Sequence, residues 1–299
     1  MNRKDAVQTV LQAIEARSRK WRASYLDGIR EMADASDSDR GQVGCSNLAH
    51  AAAGALMDQA KLLTVGSTRA KNLAIVTAYN DMLSAHQPYE TYPDRIKQTA
   101  RSLGAMAQVA GGVPAMCDGI TQGRPGMELS LLSRDVIAMS TAVALSHNVY
   151  DAAVALGICD KIVPGLLMGA LSFGHLPTVF IPAGPMQTGI SNDAKALVRK
   201  AFAKGEVGRE ELLASETAAY HSPGTCTFYG TANSNQMLLE MMGVQLPGSS
   251  FINPGDEIRG LLTDAAVEIV LSASRGSDHY LPLGVVIDAR AIVNAILGL

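Results

Sequence analysis

The sequence contains no uninterrupted apolar stretch long enough to cross a bilayer. Its longest apolar runs, such as DAAVALGI and LPTVFIPAG, are short and bounded by turn residues, as buried strands are. Aromatic residues are scarce, at 5% with one Trp, while there are 28 glycines and many alanines, a composition suited to close packing in an α/β or α-rich fold. Cysteine is also scarce. The four cysteines lie far apart with no CxxC pair, which argues against a disulfide-stapled domain and gives spacing alone little weight as a metal signal. Charge of either sign is not in excess. A net charge of −3 leaves no basic footprint, so nucleic acid is not an expected partner, and an anionic substrate would need local positive groups. The opening residues MNRKDAVQTVLQAIEARSRKWR are charged throughout and lack the apolar centre of a signal peptide. The expectation is a cytoplasmic protein with no membrane segment. Internal repeats and low-complexity tracts are absent as well.

What is present is a change of period along the chain. Residues 1–70 read as a helical N-terminal segment: Val7, Val10, Leu11 and Ile14 recur at helical spacing, and a second apolar series runs from Leu48 to Leu63. The polar stretch DASDSDRGQ between them reads as an exposed loop. Beyond it, NLAIVTAY, MAQVAG, DAAVALGIC and LPTVFIPAG read as strands, with PDRIKQTARSLG, ELSLLSRDVIAMSTAVALSHN and VPGLLMGALSFG as helices between them. This alternation predicts an α/β domain over residues 71–299, with a mainly parallel sheet flanked by helices. From about residue 192 the pattern is mostly helical, broken by the loop HSPGTCTFYG.

In an open parallel sheet, ligands bind beyond the carboxyl ends of the strands. The polar and cysteine-bearing motifs fall there: Tyr79-Asn80-Asp81, Cys117-Asp118-Gly119, Cys159-Asp160-Lys161 and Gly184-Pro185-Met186 follow the four strands in turn. Two of them set a soft thiol beside a hard carboxylate, so one loop could serve an iron–sulfur or zinc centre and a magnesium-type ion together. Cys226, in PGTCTFYGTANSNQ, sits among small and hydroxyl residues and is expected to open a helix whose amide dipoles favour a thiolate. A cysteine is ordinarily a small buried hydrophobe. Cys45, ahead of an alanine-rich stretch, reads that way, but three cysteines in Gly-, Pro- or Thr-rich loops do not. Ser133-Arg134 and Arg124 offer groups that suit phosphate or carboxylate, although an arginine at a helix start is as often simply solvated. His86 and His175 read more readily as hydrogen-bond partners than as bases. The thirteen methionines read as core filler.

The strings VTAYNDMLSAHQPYETYP, GGVPAMCDGITQGRPGMELSLLSRDVIAMS, GICDKIVPGLLMGALSFGHLP and PGTCTFYGTANSNQMLLEMMGVQLPGSS resemble the dehydratase family that contains dihydroxy-acid dehydratase and 6-phosphogluconate dehydratase. The resemblance runs from about Cys45 to the C-terminus, and NDMLSAHQPYE and TCTFYGTAN resemble the 6-phosphogluconate branch in particular. It implies a hydro-lyase that converts 6-phospho-D-gluconate to 2-dehydro-3-deoxy-6-phospho-D-gluconate in the Entner–Doudoroff route. It also implies an oxygen-sensitive 4Fe-4S cluster acting as Lewis acid, and a homodimer. Cys159 and Cys226 match the family's cluster cysteines. Dihydroxy-acid dehydratases carry a further cysteine after the first strand, where this sequence has Ala85. That departure leaves the third protein ligand open between Cys117, one residue from a family metal position, and Cys45. Asp118, Asp160 and Lys161 match positions that hold Mg2+ in the dihydroxy-acid branch, where the lysine is carbamylated. On this basis Lys161 and Asp118 are the candidate catalytic groups, with Ser133, Arg134, Asn80 and Asp81 as candidate substrate contacts. Family members are roughly double this length, so the resemblance also implies a second domain carrying the catalytic base, and a first half with little activity alone.

Overall fold

The computed structural model describes residues 3–35, 44–55, 70–226 and 230–299. Strand β1 (Asn72–Thr77) is buried at all six positions, which a strand achieves only when both faces of its sheet are covered. It lies inside a four-stranded parallel sheet with β2 (Met106–Gly112), β3 (Ala152–Leu156) and β4 (Thr178–Ile181), in the order β2-β1-β3-β4. Side chains alternate between the two faces. Leu73, Ile75, Val154 and Ile181 pack on one side, while Ala74, Val76, Ala155 and Phe180 pack on the other. The register of β1 against β2 shifts at Ile75/Val76, a bulge that turns the end of this edge strand.

The helices are α1 (Arg3–Ala35), α2 (Cys45–Ala53), α3 (Tyr92–Ser102), the single turn α4 (Asp118–Thr121), α5 (Ser130–Leu145) and α6 (Ile162–Leu171). Then come α7 (Asn192–Ala203), α8 (Arg209–Ala219), α9 (Thr231–Met241), α10 (Glu257–Ser272), α11 (Leu283–Val286) and α12 (Ala289–Gly298). Helix α3 shows why the local sequence dictates its limits: Pro93 and Asp94 occupy the first turn, and Gly104, at φ +70°, ends the run. Ile96 and Ala100 face the sheet from α3, beside Ala266, Val267 and Val270 of α10. The opposite face is covered by Ile137 and Ala144 of α5 and by Ile162, Leu166 and Ala170 of α6. A Cβ at Gly165 would lie 2.8 Å from the Arg134 carbonyl oxygen, and one at Gly169 would lie 2.5 Å from Thr141 Cβ. The two glycines therefore let α6 press against α5.

The predicted α/β architecture, with its helical beginning and helical C-terminal part, is the one observed. The apolar series Val7, Val10, Leu11 and Ile14 lies in α1 but is not buried. The helix docks farther along, where Ile29 and Ala33 are buried, the Tyr25 hydroxyl donates to the Leu171 carbonyl at 2.8 Å, and Arg22 donates to the Ile287 carbonyl at 2.9 Å. Most of DASDSDRGQ, and the end of the Leu48–Leu63 series, lie outside the described residues.

Chain order and sheet order together locate a crevice. β1 leads into α3 on one face, while its neighbour β3 leads into α6 on the other, so the loops leaving these adjacent strands part company at their carboxyl ends. A ligand site is expected at such a switch point.

Candidate active site

Asp118 opens the single turn α4, Ser130 opens α5, and Asp160 and Lys161 immediately precede α6. These helix beginnings converge. The Lys161 ammonium donates to Asp118 and, at 2.9 Å, to Asp160. The Ser130 hydroxyl donates to the other oxygen of Asp118 at 2.7 Å. Lys161 is almost fully buried, while the two carboxylates are partly open to solvent. Burial by itself would lower the lysine's pKa, but the two carboxylate hydrogen bonds outweigh it and hold the ammonium above its ordinary range. For Asp118, burial acts upward, and the hydrogen bonds from Lys161 and Ser130 overcome it and hold the carboxyl below its ordinary range. The predicted trio Asp118, Asp160 and Lys161 is therefore assembled from residues 43 apart in sequence.

The thiols lie on the same loops. Cys159 sits at φ +86°, a left-handed conformation unusual for a side chain with a Cβ and a mark of local strain at a site. Its Sγ lies 3.4 Å from Asp160 Oδ1. Burial, then the Asp160 charge, and then the neighbouring Cys117 thiol push its pKa up to about 12. Cys117 is thus close enough to Cys159 to be felt electrostatically, and it precedes α4 with its thiol partly exposed. Cys226 is delivered by a third segment. Thr225 N donates to the Gly184 carbonyl at 3.0 Å, Met186 N donates to the Thr225 carbonyl at 2.9 Å, and Gly224 N donates to the Ser84 carbonyl at 2.7 Å. Cys226 is therefore laced to the loops that follow β1 and β4. The helix expected to open at Cys226 begins instead at Thr231, so its first-turn amides are not contiguous with this cysteine. Gly230 is the N-cap of that helix, while Thr225 pairs with Pro185 of the β4 loop.

The remaining predicted residues divide. Asn80 and Asp81 do follow β1, and Asn80 Oδ1 accepts from Met82 N at 2.9 Å, closing a tight turn. Ser133 donates to the Ser130 carbonyl at 2.6 Å, so its hydroxyl proton is engaged by its own helix. Arg134 lies one turn into α5, with its Nε buried and without a protein acceptor. Arg124 is exposed. Cys45 begins α2, which packs on the amino-terminal part of β2 through the Gln108–Ala51 hydrogen bond at 3.0 Å, far from the strand ends that carry the other thiols. His86 is buried, and its Nε2 bonds the Ile158 carbonyl at 3.1 Å, so it ties the β1 loop to the end of β3. Burial pushes its pKa down to about 4, against the opposing pull of that carbonyl. His175 lies before β4, at the opposite end of the sheet, and is also pushed down to about 4, by burial and then by Arg275.

Sequence reasoning passed over Ser130 and Asn233. Ser130 reaches Asp118 across twelve residues and a turn, with no periodic signal to join them. Asn233 belongs to the string TANSNQ, where four polar residues in a row gave no means of telling the buried Asn233 and Gln236 from the other two. Among the described residues, no three His, Cys, Asp or Glu side chains converge into a metal-ligating group. The donor types nevertheless match an iron–sulfur site, with soft thiols on three adjoining loops. The hard pair Asp118 and Asp160 does not match a divalent cation as it stands, because a lysine ammonium already bridges it.

Fold and site define a parallel α/β domain that presents thiols, carboxylates and one ammonium from the carboxyl ends of its strands. The family described as dihydroxy-acid/6-phosphogluconate dehydratase N-terminal matches residues 71–299, and the chain belongs to that family. It is 56% identical over 299 residues to a phosphogluconate dehydratase of Rhizobium meliloti (strain 1021), which covers 100% of this chain and 49% of that protein. It is 54% identical over 290 residues to the phosphogluconate dehydratase of Escherichia coli (strain K12), covering 97% of this chain and 48% of the relative. A dihydroxy-acid dehydratase of Akkermansia muciniphila is 37% identical over 194 residues, 62% of this chain and 34% of the relative. The chain spans about half the length of the phosphogluconate dehydratases it matches.

Proposed function

We propose that this chain supplies the cofactor-binding half of a phosphogluconate dehydratase site, with Cys117, Cys159 and Cys226 as the protein ligands of a 4Fe-4S cluster. The observation that carries the reading is the gathering of Cys117-Asp118 and Cys159-Asp160-Lys161 at one strand-end crevice. It occurs in a chain more than half identical to phosphogluconate dehydratases. The substrate is a phosphorylated sugar acid, 6-phospho-D-gluconate, and the product its 2-keto-3-deoxy acid. When bound, the cluster supplies Lewis acidity toward the leaving hydroxyl.

The chain's own residues do the rest. Lys161 holds Asp118 and Asp160 in fixed positions and offsets one of their two negative charges, so an anionic substrate must draw on other donors. Arg134, with an unfilled guanidinium donor, is the candidate phosphate or carboxylate contact, and Asn80 and Asp81 border the mouth. Ser133 is a weaker candidate, because its proton is already committed within α5. A magnesium ion at Asp118 and Asp160 would require Lys161 to give up its ammonium charge, as carbamylation does, so this second metal is not part of the proposal. The whole-length reaction, the homodimer and a cytoplasmic setting are expectations of the same reading.

The test is anaerobic reconstitution of the chain with iron and sulfide, together with Cys117→Ser, Cys159→Ser and Cys226→Ser. Each variant is expected to lose the cluster's visible absorption and most of its bound iron. A cluster that survives Cys117→Ser removes that ligand, and a parent chain that binds zinc without sulfide overturns the reading. Turnover of 6-phosphogluconate, followed through the 2-keto product and set against an unphosphorylated aldonic acid and a dihydroxy acid, tests the substrate.

A further inference from the structure

Asn233, on the first turn of α9, is almost fully buried. Its Oδ1 accepts the Thr225 hydroxyl at 2.7 Å, and its Nδ2 donates to the Cys226 carbonyl at 2.8 Å. The orientation of the amide is not arbitrary. The Gln236 amide nitrogen also approaches Oδ1, at 3.4 Å, while donating to the Ala232 carbonyl at 2.9 Å. Turning the Asn233 amide over would set its NH2 against that second NH2 and its oxygen against a carbonyl, so the network fixes one orientation. Thr225 is itself fully buried and paired with the β4 loop. Gly224, at φ +129°, approaches so closely that a Cβ there would lie 2.5 Å from Met186 N. The backbone on both sides of the Thr225–Cys226 peptide is therefore clamped: the β1 and β4 loops hold it from one side and one amide side chain holds it from the other.

We infer that Asn233 is the positioning residue of Cys226: it sets the backbone that aims this thiol into the crevice, without contributing a ligand itself. The inference rests on the reading of Cys226 as a cluster ligand, and its chemistry is specific. Only a side chain with an acceptor and a donor on one planar group can serve the Thr225 hydroxyl and the Cys226 carbonyl together. An uncharged amide does so without adding negative charge beside the Cys226 segment. Asn233→Asp keeps the shape and the Thr225 contact, but sets a carboxylate oxygen against the Cys226 carbonyl. Residues that hold a metal's ligands in place typically change metal affinity about 10- to 100-fold when altered.

The experiment compares the parent chain, Asn233→Asp, Asn233→Ala and, as a measure of general loosening, Tyr280→Phe, which removes a hydroxyl donating to the His175 carbonyl at 2.7 Å remote from the crevice. Two quantities are read besides the melting temperature. One is the rate at which iodoacetamide modifies Cys226 in the metal-free chain, relative to the exposed Cys45 in the same molecule. The other is the lifetime of the reconstituted cluster's visible circular dichroism under a chelator. Both Asn233 variants are expected to change the relative Cys226 rate several-fold and to shorten the cluster lifetime about tenfold. Tyr280→Phe is expected to lower the melting temperature and leave both unchanged. Equal Cys226 rates in all four proteins, or cluster lifetimes that simply follow melting temperature across the set, overturn the inference. A parent chain that takes up no iron and sulfide, yet shows the shifted Cys226 rates, overturns the ligand reading and leaves the positioning role standing.

Discussion

Lys161 carries the charge balance of the crevice, and its neighbours set what its loss would do. Lys161→Met would leave Asp118 and Asp160 facing each other without the shared cation. The loss should destabilise the fold by roughly 1–2 kcal/mol, the partial exposure of both carboxylates keeping it below the value for a fully buried pair. Asp118 is held below its ordinary pKa, so its contribution is present above the unfolded carboxylate pKa and is lost as pH falls through the folded one. Denaturant titrations of parent and variant should therefore differ most near neutral pH and converge below about pH 4. Equal midpoints at pH 7 would remove the ion-pair argument. Cys159 points the other way. A thiol pushed up to about 12 is protonated in the metal-free chain, and a bound metal must take it as thiolate. Iron uptake should release a proton and slow as pH falls from about 8.5 to 6.5, read as the rate at which absorbance develops during reconstitution. The sequence displayed these residue types just after the strands. It could not display that the ammonium would stand between the carboxylates, because that depends on how the start of α6 meets the turn at α4.

At the level of elements, glycines set how closely α6 packs on α5. Gly169→Ala sets a Cβ against Thr141 Cβ and the Ala138 carbonyl, at 2.5 and 2.6 Å, and the second of these is backbone that cannot rotate away. The cost should be about 1–3 kcal/mol, seen as a lower thermal midpoint. Because Ser130 and Lys161 stand at the starts of these two helices, forcing them apart should also weaken cluster retention. Gly28→Ala, in α1 with nothing within 4 Å of the new methyl, should instead stabilise by roughly 0.5–1 kcal/mol. If both changes moved the midpoint alike, the steric argument for the helix pair would fail. The existence of α5 and α6 was legible from apolar periodicity, but their intimacy was not, because nothing in PGLLMG alone says which element its glycines will meet. The same ignorance explains α1. Its early apolar residues have helical spacing, yet the buried contacts are made by Tyr25, Ile29 and Ala33, where α6 and α11 come within reach.

Across the whole molecule, two buried histidines give stability a pH dependence. His86 and His175 are both pushed down to about 4, first of all by burial, and so stay neutral in the folded chain while titrating near 6.5 when unfolded. Between those values the unfolded chain binds more protons, so stability is complete above pH 6.5 and falls as pH drops toward 4, by up to about 3 kcal/mol per histidine. His175→Gln, outside the crevice, should flatten the dependence of the thermal midpoint on pH over that window, and an unchanged slope would place the acid sensitivity elsewhere. The sequence by itself determined the strands, because a buried parallel strand must be an apolar run covered on both faces. It also placed the polar and cysteine-bearing motifs at their carboxyl ends, because turn-bounded polar strings follow each run. Only the tertiary structure decided which motifs meet. The order β2-β1-β3-β4 sets the loops of β1 and β3 side by side, brings Asp118 to Lys161 and lays the Cys226 segment against the β4 loop. Contacts between residues tens of positions apart are fixed by how helices stack on a shared sheet, and no local pattern records that.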